Sequence, residues 1–178
     1  MNTRSTKRLF ICALALLASA ATAAAGAAAQ EQPFTSETDE YALELPSEVW
    51  KAVPRPDNAR QHAEFVNGDR SGGYLRVRRE AVEGGADLRD YARAEADTKL
   101  RFLPGFVGGK EERFAGRLSG VVSNYEYTSG GKPMAGRVYY LQADGRTVYV
   151  LHFTGMRDRL QRIQSQTDAI ARSFRLKQ

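Results

Sequence analysis

The residues in this 178-residue chain best suited to acid–base or metal chemistry are its two histidines, His62 and His152. His62 and Glu64 are two positions apart, so on a strand they share a face. An H-x-E pair of this kind can supply a metal ligand and a general base. Together with His152 it defines one functional alternative, a small periplasmic or secreted hydrolase using His62, Glu64 or His152. The metal form of that site is poorly supplied. Zinc needs three or four converging ligands, and deaminase-type zinc sites also use cysteines. The only cysteine, Cys12, lies far upstream. The expectation is therefore no metal, no cofactor and no catalytic set. On this reading His62 is a surface residue, and His152 is half-buried and satisfied by a neighbour.

Other reactive patterns are incomplete. There is no G-x-S-x-G elbow; Ser71 follows charged residues in a turn and Ser119 sits near a strand start. Gly130-Gly131-Lys132 has the look of a phosphate loop, but Pro133 stands where Ser or Thr is required and Glu126 where the first Gly belongs. Glu111 and Glu112 are adjacent, so on a strand they point to opposite faces and cannot act as one dyad.

A surface for recognition is the better prospect. Tyr125, Tyr127, Tyr139, Tyr140 and Tyr149 cluster on three successive strands, and Tyr125, Tyr127, Tyr139 and Tyr140, with Arg137 among them, are the candidate surface. Tyrosine joins a flat apolar body to a polar tip, which suits a ligand or partner surface. The same residues also suit a sheet packed under a helix, which is the simpler reading. Arg157, Arg159, Arg162, Arg172 and Arg175 line the last helical segment, interleaved with Asp158 and Asp168, and read first as a solvated face.

The elements that must position these residues begin after a leader. Arg4, Lys7 and Arg8 form a basic end, Leu9–Ala18 an apolar stretch too short to span a bilayer, and Ala27-Ala28-Ala29 an A-x-A site before Gln30. Residues 1–29 are thus expected to be a cleaved signal peptide, with a retained amino-terminal anchor as the alternative. The remaining 149 residues carry 23 basic and 21 acidic side chains, a net charge of +2, which argues against nucleic acid as a partner. They hold no cysteine, hence no disulfide and no thiolate metal site. The alanine-rich leader and cysteine-free exported domain point to a bacterium. Residues 30–40 read as a flexible arm and 41–178 as one domain.

Within that domain Tyr41–Leu45 alternates as a strand, ended by Pro46. Ala63–Val66 and Tyr74–Arg79 form the next pair. Asp87 caps a helix that runs to about Pro104-Gly105. Strands follow at about Phe106–Phe114, Leu118–Thr128, Met134–Ala143 and Thr147–Thr154, then a helix from Arg157 to Phe174. Its inner stripe is Leu160, Ile163, Thr167, Ile170 and Phe174. Strands joined by tight turns imply an antiparallel sheet of six to seven strands. Val148 and Val150 alternate with Tyr149, Leu151 and Phe153, so the sheet is apolar on both faces. The expected fold is α+β, with helices covering both faces in an α/β/α sandwich. The runner-up covers one face only and keeps the other for a partner.

This pattern resembles the PsbP-like family over Tyr41 to about Leu176. The resemblance rests on Tyr41-Ala-Leu-Glu-Leu-Pro46 followed by Trp50, on Asp87-Leu-Arg-Asp-Tyr91 opening a helix, and on Val148–Thr154 leading into a helix that closes on Ser173-Phe174-Arg175. It implies a sandwich fold, export, and a role other than catalysis, with no shared catalytic set to transfer. The functional expectation is an exported, non-enzymatic accessory or binding module of the cell envelope. Its partner would be a protein or an envelope component, and no integral membrane span would remain after cleavage.

Overall fold

The computed structural model describes residues 32–35, 40–54, 63–85 and 87–177. The leader, His62 and most of the arm lie outside them. In chain order the elements are β1 (Gln32–Thr35), β2 (Tyr41–Leu45), β3 (Trp50–Ala52), β4 (Ala63–Asn67) and β5 (Asp69–Ala81). Helix α1 (Leu88–Glu95) continues into a π-helical turn, Ala96–Leu100. Then come β6 (Val107–Gly108), β7 (Glu112–Ala115), β8 (Ser119–Ser129), β9 (Lys132–Asp144) and β10 (Thr147–Met156). Helices α2 (Arg157–Arg162) and α3 (Gln164–Ser173) precede β11 (Arg175–Leu176).

The main sheet has eight strands in the order β3-β4-β5-β10-β9-β8-β6, with β7 also on β8. All its pairings are antiparallel. Local chemistry sets its hairpins. Gly130 and Gly131 both adopt positive φ between β8 and β9, the conformation a tight hairpin demands. Between β9 and β10, Asp144 Oδ1 accepts from the Arg146 N–H at 2.7 Å. At the start of α1, Asp87 accepts from the backbone N–H groups of Arg89 and Asp90, a normal N-cap.

The expected sandwich of helices on both faces does not form. Among the described residues strand far outweighs helix, and the sheet is open. On one face Tyr139, Leu141, Tyr149, Leu151 and Phe153 pack beneath β2, which contributes Tyr41, Leu43 and Leu45 to the main core. That strand belongs to a second sheet, β1-β2-β11. Helical cover on this face is limited to two short helices, because the expected continuous helix breaks at Ile163 (φ −100°, ψ 14°). On the other face a smaller cluster of Val121, Val138, Tyr140, Val148 and Val150 meets Ala92 and Leu100 from the α1 segment. Alternation correctly marks Tyr41–Leu45 as a strand, but carries no information about which sheet it joins.

The arm also differs from expectation. Gln32–Thr35 pairs antiparallel with β2, and the Phe34 ring meets Phe65 edge-on at 4.7 Å. One aromatic side chain gives this polar segment a place to pack. The segment read as one strand, Phe106–Phe114, is two short pieces separated by Gly109-Lys110-Glu111.

Two contacts fix the carboxy-terminal helices. Trp50 Nε1 donates to Gln166 Oε1 at 2.8 Å, tying β3 to α3. Phe174, fully buried at the end of α3, lies 4.9 Å from the Tyr41 ring and 5.0 Å from the Tyr149 ring. Removing a buried phenyl group costs about 3–5 kcal/mol, a large part of an ordinary domain's ~5–15 kcal/mol. Phe174→Ala is therefore expected to lower the urea midpoint strongly, and an unchanged midpoint would refute this packing.

Candidate functional site

The side-chain alternation of β8 and β9 divides the tyrosine cluster between the two faces of the sheet. Arg137 and Tyr139 point toward α2 and α3. Tyr140 points toward α1, and so do Tyr125 and Tyr127, whose partners across the strands are Gly136 and Met134. Tyr125, Arg137, Tyr139 and Tyr140 are buried, and Tyr127 is half-buried. The five residues expected to form one surface thus belong to two polar clusters.

The cluster under α1 centres on His152. Its Nε2 and the Tyr125 hydroxyl share a 2.6 Å hydrogen bond. This reach requires Gly136: a Cβ there would lie 2.1 Å from the Tyr125 ring, so the ring crosses β9 only because that residue has no side chain. Nearby, the Glu95 carboxylate pairs with Arg78, and Lys99 stands at 3.6 Å from it. Burial pushes the Tyr125 and Tyr140 phenols up, and both stay protonated at any ordinary pH. Tyr91, against the same cluster, is raised to about 12, chiefly by burial. His152 moves the other way. Burial, reinforced by the charges of Arg78, Arg76 and Lys99, pushes it down to about 3, so the imidazole is neutral.

The hydrolase constellation is not assembled among the described residues. Glu64 and His152 lie on one row of the sheet with Arg76 between them, since Arg76 is opposite both. Two strand spacings put their backbones about 10 Å apart. Glu64 faces Arg76 at 3.5 Å and Arg70 at 3.7 Å. His62 lies outside the described residues. No group of three or more potential metal ligands occurs among those that are described.

The second cluster is built around Arg137, which is only 9% exposed. Its Nε donates to the Tyr139 hydroxyl at 2.6 Å, Nη1 to Asn124 Oδ1 at 2.7 Å, and Nη2 to Asp168 Oδ1 at 2.8 Å. The Tyr139 hydroxyl also donates to Asp168 and touches Thr167 Oγ1 at 2.9 Å. Burial opposes the charge on Arg137, but the hydrogen bonds to Tyr139 and Asp168 outweigh it and hold the guanidinium firmly protonated. Tyr139 is raised by burial and by its bond to Asp168, which excludes a phenolate.

Beside this network is a cavity of about 300 Å³, within the range of small-ligand sites. Arg137, Asn124, Glu126, Gln161 and Gln164 supply its polar walls, and Val107, Ala135 and Leu160 its apolar ones. Glu126 is held at 3.1 Å by Arg157. β8 and β9 form the floor, β6 the sheet-edge rim and α2 the roof. Sequence reasoning reached Arg137 and Tyr139 but missed Asn124, Gln161, Gln164 and Asp168. The available signal was the alternation of Asn124 with Tyr125: it places Asn124 on the face of Arg137.

No protein-family model matches the sequence, and no curated protein is significantly similar to it. The fold, however, is one that solved structures share. LpqN of Mycobacterium tuberculosis, described as involved in cell envelope biogenesis, is similar over 84% of this chain and 91% of its own, with a TM-score of 0.57 and 18% identity. Cyanobacterial PsbP (CyanoP) of Synechocystis sp. PCC 6803 is similar over 86% and 96%, with a TM-score of 0.56 and 16% identity. A Bacteroides thetaiotaomicron protein gives a TM-score of 0.60 at 14% identity over 84% of this chain, which spans about half of that protein's length (49%). The chain therefore has a fold similar to that of PsbP, as its sequence pattern implied, although not the helix-covered form expected.

The His152 environment has a measurable consequence. An exposed histidine in the unfolded chain titrates near pH 6.5, whereas the folded one does so at about 3. Between these values unfolding takes up a proton, so stability rises with pH. Between pH 4 and 6 the unfolding free energy of wild type should rise more steeply than that of His152→Gln, by about 1.4 kcal/mol per pH unit. Above pH 7 the two slopes should coincide. Equal slopes in the acid range would show that His152 ionises freely in the folded protein.

Proposed function

We propose that this chain is an exported, non-enzymatic binding module of the cell envelope, and that it engages its partner through the cavity beside Arg137. The observation that carries this reading is the state of the cavity's ionisable groups. Arg137 is paired with Asp168 and Glu126 with Arg157, and Tyr139, bonded to Arg137 but outside the lining, is held as a neutral phenol. Such a lining offers hydrogen bonds and shape, with its charges already compensated, as recognition requires. Acid–base or nucleophilic catalysis instead needs a group poised to gain or lose a proton. The leader supports export. Among the described residues no helix is long and apolar enough to cross a membrane. The similarity in fold to LpqN, itself described as a cell-envelope protein, is in keeping with this role.

Two measurements test the proposal. Intact mass of the protein from native envelope fractions should correspond to a chain beginning at or near Gln30, whereas full-length protein in the cytoplasm would refute export. A photo-crosslinking residue placed at Gln161, an exposed position lining the cavity, should give a discrete adduct in cells. The same residue at Arg89, exposed on α1, should not. Adducts at neither position, or at Arg89 alone, would remove the cavity from the interaction.

A further inference from the structure

We infer that the cavity receives a neutral backbone amide of a polypeptide segment, whose carbonyl oxygen accepts from Arg137. This deepens the binding-module reading above and rests on it. A guanidinium carries five N–H donors. Nε, Nη1 and Nη2 each spend one, on Tyr139, Asn124 and Asp168. One hydrogen on each Nη is left without an acceptor among the described residues, on a side chain that is buried and lines the cavity. Each Nη is already partnered once, and its second hydrogen can donate to a ligand acceptor that enters the cavity.

Charge selects the kind of acceptor. The Arg137 charge is already balanced by Asp168, and that of Glu126 by Arg157. With both pairs already neutral, an incoming carboxylate would find no unbalanced positive charge to offset its desolvation, whereas a neutral carbonyl needs none. The carboxamides of Gln161, Gln164 and Asn124 both donate and accept, as an amide ligand does. Asn124 Oδ1 is occupied by Arg137, which leaves its NH₂ group to donate.

The position favours a polypeptide over another amide source. Val107 and Gly108 of β6, which ends the main sheet, line the cavity together with Gly109, and the two glycines present no side chains there. An extended backbone can approach such an edge and add to it. Val107, Ala135 and Leu160 give an adjoining side chain an apolar wall.

The test is a titration followed by NMR, on the ¹⁵N-labelled chain as recovered from cells. The probes are the uncharged tripeptide Ac-Ala-Ala-Ala-NH₂, acetate and N-acetylglucosamine. The capped peptide should shift the side-chain amide signals of Asn124, Gln161 and Gln164 saturably, and Arg137→Lys should abolish the response. Gln161→Ala changes an exposed residue, keeps the fold, and should weaken binding by about fivefold, the worth of one hydrogen bond. Three results would overturn the inference: no saturable shift with the peptide, tighter binding of acetate, or a response to N-acetylglucosamine alone. Each leaves a crosslink at Gln161 standing, so the binding-module reading fails separately, on the crosslinking result.

Discussion

The pairing of Arg137 with Asp168 is the interaction on which the candidate site depends. Arg137 comes from the middle of β9 and Asp168 from α3, which are joined at 2.8 Å across the main core. A guanidinium buried at this depth is tolerated only if it is paired and hydrogen-bonded. Tyr139, Asn124 and Asp168 meet that requirement together. The consequence is geometric. α3 must lie where its carboxylate reaches β9, and α2, one residue upstream, is then held over the β8–β9 floor. The cavity is the space this arrangement leaves.

The same sheet keeps its two polar clusters apart. Adjacent residues on a strand face opposite ways, so Tyr139 joins the Arg137 network while Tyr140 is buried beneath α1. The α1 side is a tight structural cluster, where Tyr125 fills the surface above Gly136 to reach His152. The α3 side is the one with room. Two clusters of similar composition thus have different prospects: the α1 segment packs closely against one, while the other borders the cavity next to the sheet edge.

Much of the fold was legible because its signals are local. The alternation of Val148–Phe153, the Asp87 cap, and the glycine and Asp-Gly turns mark β10, α1 and the hairpins, and burial of Trp50 and Phe174 follows from their apolar surroundings. What failed depends on long-range contacts. Gln32–Thr35 carries one aromatic residue, and its strand exists only because β2 is beside it. The break at Ile163 follows no proline or glycine, so periodicity runs through it. The cavity was the least legible feature. Asn124 and Asp168 lie 44 positions apart and meet only through Arg137. Polar residues on a strand and a helix look like solvated faces until the packing is known.

Arg137 and Asp168 hold each other in place and thereby preform the cavity. A double-mutant cycle on folding stability tests it most directly, using Arg137→Met, Asp168→Asn and the two combined. Each single change strands a partly buried group, and the double change strands neither. The double variant is expected to lose less than the sum of the singles, by about 2 kcal/mol, within the range for directly contacting residues. Additive losses, within about 0.5 kcal/mol, would contradict it.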